Sequence, residues 1–199
     1  MGIEALTTVE PGTPMEGGFF AGYINTPDGV YGIIVAPKDA GELQGKWLPK
    51  WKDVPGASSY FNCRANTLAM AEAGSEIAQR VLGLDIGGFT DWAIPSRDAL
   101  EVIYRALKPT TRSNNCSFRD GDNPSSVPVG YPYTEASPAQ TSAAAFQEGG
   151  AEAFEPVWHW ASTQSSDGSA WIQTFADGCQ HYYGKYGAFK VRAVRRFKA

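Results

Sequence analysis

The chain has little cysteine and little histidine: three and two residues among 199. Cys63, Cys116 and Cys179 are odd in number and nowhere spaced as CxxC, so neither a disulfide framework nor a four-ligand zinc site is written here. Long apolar runs are also missing. No stretch approaches the length of a membrane span, and "MGIEALTTVEPGTPMEGG" has neither the basic region nor the apolar run of a signal peptide. Synthesis and folding in a reducing cytoplasm, with no membrane span, are expected. An excess of positive charge is absent too: 17 basic against 21 acidic side chains leave a net charge of -4, with no broad footprint for phosphate backbones. Nucleic acid is therefore not an expected partner. The one basic concentration is the ending "VRAVRRFKA", which a solvated strand edge carrying Arg192, Arg195, Arg196 and Lys198 explains. There is no G-x-S-x-G, H-E-x-x-H, P-loop or G-x-G-x-x-G.

What is present describes a folded domain: 43% hydrophobic and 13% aromatic residues in a chain of one-domain length. Residues 1–17 read as an extended arm or linker, and 18–199 as the domain. "FFAGYI" and "YGIIVAPK" flank Pro27, Asp28 and Gly29, which is hairpin chemistry. In "ANTLAMAEAGSEIAQRVLGL" Met70, Ala73, Ile77, Val81 and Leu84 share one helical face, with Asn66 able to cap the start and Gly83 the end. A second helix follows Ser96 in "RDALEVIYRALK", where Leu100, Ile103, Tyr104 and Leu107 form a stripe and Pro109 stops it. Each helix is expected to have one apolar and one wet face and to pack on a sheet. Residues 110–156 lack a period and are rich in Ser, Pro, Asn, Gly and Ala, the mark of a functional loop region. "VWHWAST", "AWIQTF", "QHYYGKY" and "FKVRAVRRF" read as strands, the middle two joined by an Asp-Gly turn. The order strands, helices, loops, strands is α+β.

Several motifs carry a chemical and a structural meaning at once. Asp91 in "DWAIPS" has the residue type of an acid or metal ligand, but turn formation explains it better, with Trp92 filling the core. In "WHWASTQ" the pleat puts Trp158, Trp160 and Ser162 on one face and His159, Ala161 and Thr163 on the other, so the two indoles cannot cradle His159. Trp160 is expected to be deeply buried, and His159 to be a satisfied polar residue. Cys179 and His181 share a strand face, but two ligands do not make a metal site. "RDGDNPSS" departs from a calcium loop where Pro124 and Ser125 stand for a ligand and its glycine. No metal and no cofactor is expected.

"GGFTDWAIPSRDALEVIYRALKP", "GGAEAF", "WHWASTQ", "AWIQTFADGCQ" and "VRAVRR" occur in an order and spacing that resembles the C-terminal domain of collagen-like bacterial adhesins, a domain also widespread in bacteriophages as a virion-associated protein. The likeness spans roughly residues 18–197. It implies a C-type lectin-like fold, with terminal strands paired together, two helices, and a second small sheet bearing long loops. It does not extend to calcium-dependent sugar binding, because the Glu-Pro-Asn, Gln-Pro-Asp and Trp-Asn-Asp motifs are missing, and "EPV" lacks the amide. Nor is there the close cysteine pair that formylglycine-generating enzymes of similar fold use.

The functional expectation is a non-enzymatic virion protein of tail-fibre or receptor-binding type. It would present the 110–156 region to a host cell-surface protein or glycan, or to other virion subunits. Arg112, Asn114, Asn115, Phe118, Arg119, Tyr131 and Tyr133 are the expected contact residues, because aromatic, guanidinium and amide groups together suit a paratope. Phage attachment proteins are often trimers, so a homotrimer is one expected assembly, although no heptads specify it. A capsid or tail decoration protein with a purely structural role is the first alternative. An enzyme with an unrecognised site near His181 and Cys179 is the second.

Overall fold

The structure, a computed structural model, describes residues 9–199. A two-residue strand β1 (Pro14–Met15) pairs with β2 (Gly18–Thr26), which forms the expected antiparallel hairpin with β3 (Gly29–Val35). The Gly12 amide also donates to the Phe20 carbonyl at 2.8 Å. The described part of the expected free arm is thus bonded to the domain, where it covers an otherwise open strand edge. Residues 1–8 of that arm lie outside the described residues. A single helical turn, α1 (Lys38–Gly41), leads into β4 (Glu42–Lys46).

The long helix read over 65–84 is two helices, α2 (Cys63–Glu72) and α3 (Glu76–Leu82). Gly74 adopts φ +97° and Ser75 restarts the chain, its Oγ accepting from the Ala78 amide at 3.4 Å and donating to the Trp47 carbonyl at 2.6 Å. Gly83 ends α3 as expected. Asn62, not Asn66, caps α2. Asn66 is buried inside the helix, where its amide bonds the Ser59 carbonyl and the Ser162 and Thr163 hydroxyls. Met70, Ile77 and Val81 still face one core, because both helices lie on the same side of a sheet.

The next helix, α4 (Arg97–Leu107), starts after Ser96 as expected, yet the Ser96 side chain does not cap it. Thr163 Oγ1 instead accepts from the Arg97 amide at 3.0 Å, so a distant strand supplies the cap. Nor does α4 have a wet face: Arg97, Asp98 and Glu101 are as buried as Leu100, Ile103 and Leu107. The cover is the 110–133 segment, which includes β5 (Ser126–Val127), paired with β2.

The remaining strands are β6 (Trp158–Gln164), β7 (Ser169–Thr174), β8 (Gln180–Gly184), β9 (Ala188–Arg192) and β10 (Val194–Lys198). They complete two sheets. One runs β1-β2-β3-β10 with β5 beside β2, so the C-terminal strand pairs with the N-terminal hairpin. The other runs β4-β9-β6-β7-β8 and leaves β8 at its edge. "FKVRAVRRF" is therefore two strands in two sheets, not one. The switch is at Ala193, whose amide donates to Gly41 and whose carbonyl accepts from Ala36, both at 2.9 Å. The architecture is α+β.

Trp92 and Trp160 are fully buried, as expected, with indole N–H groups donating to the Phe89 and Gly45 carbonyls. The basic ending is not one solvated edge. Arg192 is buried against Glu42 and Glu152, Arg195 pairs with Asp91 and Glu16, and Arg196 lies over Tyr31. Asp91 thus acts through an ion pair. No described helix is long and apolar enough to cross a membrane.

The β7–β8 turn carries a local test of the packing. Gly178 sits at φ +80°, and a Cβ there would lie 2.3 Å from a Tyr104 ring carbon. Gly178→Ala is expected to destabilise by about 2 kcal/mol in chemical denaturation, through left-handed strain and overpacking together.

Candidate functional site

The site is built outward from α4. Arg97 is the bracket, with a guanidinium that is 2% exposed. Its Nη1 bonds Asp98 Oδ1 at 2.9 Å and the Asp122 carbonyl at 3.1 Å; its Nη2 bonds Gln180 Oε1 at 2.7 Å and the Arg119 carbonyl at 3.3 Å. One side chain therefore joins α4, the 119–122 loop and β8. Asp98 in turn accepts from Ser125 Oγ at 2.6 Å, while Asp120 accepts from the Gln180 amide at 2.6 Å. Burial raises the carboxyls of Asp98 and Asp120 above their ordinary range, despite hydrogen bonds that oppose it.

A second clasp lies one turn along. The buried Glu101 carboxylate accepts from Tyr133, Arg105 and Asn123, and Arg105 also bonds the Gly121 and Tyr131 carbonyls. Burial raises Glu101 as well. The long polar insertion is consequently a lid fastened to α4 and β8 through several of its backbone carbonyls and buried side chains.

On this base sits an exposed aromatic platform. Phe118 is 65% exposed and holds φ +54°, a conformation a bulky L-residue rarely adopts. Its ring stacks on Trp171, with centroids 5.9 Å apart and planes 26° apart, and lies 6.2 Å from the His181 ring. Tyr60 and Tyr182 meet Trp171 edge-on, and the Arg97 guanidinium lies 5.1 Å from its centre on the inner side. Arg119 covers Tyr60 at 5.4 Å and pairs with Asp122 at 3.2 Å.

Of the expected contact residues, the structure gathers Asn115, Phe118 and Arg119 at this end of the domain. Asn114 and Tyr133 are corrections. Asn114 is buried, accepting from Tyr104 at 2.7 Å and donating to loop carbonyls, and Tyr133 is 5% exposed with its hydroxyl on Glu101. A side chain that closes the lid onto the core cannot also meet a partner. Arg112 is exposed beside Lys108, Glu135 and Gln140, in a separate depression. Tyr131 is exposed at an apolar cleft of about 320 Å³ with Val102, Val127 and Pro128. Tyr60, Trp171 and Tyr182 were missed. The signal for Tyr182 was three tyrosines close together in "HYYGKY", too many for a strand that turns one face inward.

The alternative chemical site fares differently. Cys179 has its thiol pushed up to about 11 by burial, with Asp120 and Asp177 adding to the effect, so it stays protonated at neutral pH. His159 is fully buried between Phe154 and Phe175, and burial pushes it down to about 4. Its Nδ1 meets the Val157 carbonyl at 2.9 Å, while Nε2 has no partner; the ring is only half satisfied, which corrects the expectation. Among the described residues, no three His, Cys, Asp or Glu side chains converge as a metal site would need.

No family model matches the chain, and no curated protein does. Among solved structures, a fimbrial protein from Bacteroides ovatus is similar over 89% of this chain and 43% of that one, with 9% identity and a TM-score of 0.45. The chain spans less than half the length of that protein. A likeness at that level carries no functional conclusion.

Proposed function

We propose that the protein is a non-enzymatic binding module of C-type lectin-like fold, carried on a bacteriophage particle. It recognises a host surface or a neighbouring virion subunit through the Phe118 platform. The observation that carries this reading is an exposed phenylalanine held at positive φ on a buried base that Arg97 hydrogen-bonds to three elements. Strain of that kind persists where surrounding structure over-determines it, and it clusters at binding and catalytic sites. The adjoining Arg119 and Tyr60 supply the guanidinium and phenol that enrich protein interfaces. Support for the fold comes from the pairing of β10 with the N-terminal hairpin and from the second sheet bearing the long insertion. Support for the virion setting comes from the motif order running from "DWAIPS" to "VRAVRR". The protonated Cys179 thiol and the sealed His159 support a role without catalysis.

The test uses point variants, because replacing residues 112–133 would remove Asn114, Asp120, Asn123 and Tyr133 from the core. Phe118→Gly is expected to keep or raise the thermal midpoint, since glycine accepts positive φ without strain. The same variant is expected to bind host cells, or assembled particles lacking the protein, at least about tenfold more weakly, the usual cost of losing an aromatic anchor. Unchanged binding in a folded Phe118→Gly, Arg119→Ala double variant would remove the platform from the account.

A further inference from the structure

The edge strand β8 is aromatic on both faces. The side away from Phe118 opens into a groove of about 400 Å³, lined by Trp158, Ile172, His181, Tyr182, Tyr183 and Phe189. We propose that this groove, which shares His181 and Tyr182 with the border of the Phe118 platform, binds a neutral pyranose ring, as one unit of an uncharged glycan, without needing the Phe118 ring.

Size decides first. A stable protein interface needs roughly 20–30 residues a side, whereas a site of a few hundred cubic ångströms is the scale of a small ligand. A second copy of the chain or a protein partner would use only a corner of itself here. Charge decides next. None of the lining residues is Asp, Glu, Lys or Arg, so a phosphate, sulfate or carboxylate would enter without a counter-ion. A nucleotide or an acidic sugar is thus disfavoured. The floor is the buried Ile172, and the walls are aromatic rings: Phe189 meets Trp160 at 4.9 Å and Tyr183 at 5.2 Å, both edge-on. Aromatic faces are electron-rich, and the axial C–H groups on one side of a pyranose carry partial positive charge, so the two surfaces are complementary.

Polar complementarity completes the match. Among the described residues no protein group bonds the Trp158 indole N–H or the Tyr182 and Tyr183 hydroxyls, and both tyrosines are close to half exposed, at 47% and 46%. His181, which also lines the groove, has its Nδ1 on the Tyr182 carbonyl at 2.9 Å, and among the described residues no protein group bonds its Nε2. An apolar floor with a rim of unpaired donors is what a ring of hydroxyls around an apolar face requires. A hydrocarbon ligand would leave those donors unused.

The experiment titrates cellohexaose, maltohexaose and chitohexaose into the full chain and follows tryptophan fluorescence, with oligogalacturonate as an anionic counterpart. Saturable binding of at least one neutral oligomer in the millimolar range or tighter is expected. Tyr183→Ala should weaken it roughly tenfold and Tyr183→Phe only severalfold, at unchanged thermal midpoint. Absence of saturation by all three up to about 10 mM overturns the proposal. Equal binding by Tyr183→Ala and Trp158→Ala, both folded, does so too, as does a preference for oligogalacturonate. Concentration-dependent self-association that Tyr183→Ala abolishes would assign the groove to a second copy and equally overturn it. A defined oligosaccharide is read here and not a cell, so failure of this site and failure of the Phe118 platform are separate results.

Discussion

Arg97→Met is expected to lower unfolding stability by about 3–5 kcal/mol and to loosen the whole 115–122 segment. The methionine can fill the volume, yet it abandons four acceptors at once: the Asp98 carboxylate, the Gln180 amide oxygen and the carbonyls of Arg119 and Asp122. The dominant cost is the Asp98 carboxylate, 1% exposed, left in the interior without its cation. Urea denaturation measures the loss. Adding Asp98→Asn to Arg97→Met should recover part of it, because the uncompensated charge is then gone. Arg97→Lys should fall between wild type and Arg97→Met, since an ammonium keeps the charge but cannot span acceptors on three elements. The platform supplies a second readout: Phe118 loses its fixed base, so partner binding falls even where the variant remains folded. If Arg97→Met costs less than about 1 kcal/mol, the bracket is not what holds the lid.

Acidification is expected to separate wild type from His159→Gln. His159 is neutral in the fold and titrates at about 4, against an ordinary value of 6.5. A depressed histidine binds its proton more readily in the unfolded chain, so stability is complete above pH 6.5 and declines as pH falls towards 4. Linkage puts the loss at about 2 kcal/mol by pH 5 and about 3 kcal/mol by pH 4. The residues around the ring explain the size of the effect. Burial is the dominant cause, with Phe154 and Phe175 excluding water; the Val157 carbonyl and Glu42 favour the charged ring, and Arg192 and Lys190 oppose it. His159→Gln keeps a hydrogen-bonding group but cannot titrate, so its own curve should lack this component. The difference between the two curves is the measurement, because Asp98, Glu101 and Asp120 have raised values and favour the fold as pH falls. Parallel curves from pH 7 to 4 would show that His159 is solvated in solution.

The readable parts of this protein were those whose physics is local. The β2–β3 hairpin follows from Pro27, Asp28 and Gly29 between apolar runs, and the β7–β8 turn from Asp177 and Gly178. The stripe Leu100, Ile103, Tyr104, Leu107 placed α4 within its true bounds. The Gly74–Ser75 stop and restart was also legible, but an apolar stripe continuing across it hid the break. Phe118 could be chosen as exposed and Arg119 as lying at the surface because an aromatic and a guanidinium in a polar insertion have few local ways to be fully buried. Asn114 and Tyr133 looked identical by that reasoning. They differ only because Tyr104 and Glu101, on a helix that precedes the insertion, reach them.

From residue order alone came the α+β class, the hairpins, the helical stripes and the interior tryptophans, since periodicity and turn chemistry act between covalent neighbours. Tertiary structure alone decided that α4 has no wet face, that Thr163 caps it, and that Ala193 divides one apolar run between two sheets. Each of these is a polar or backbone group whose partner is distant in the chain, and such a group acquires its role only when folding removes water and delivers that partner.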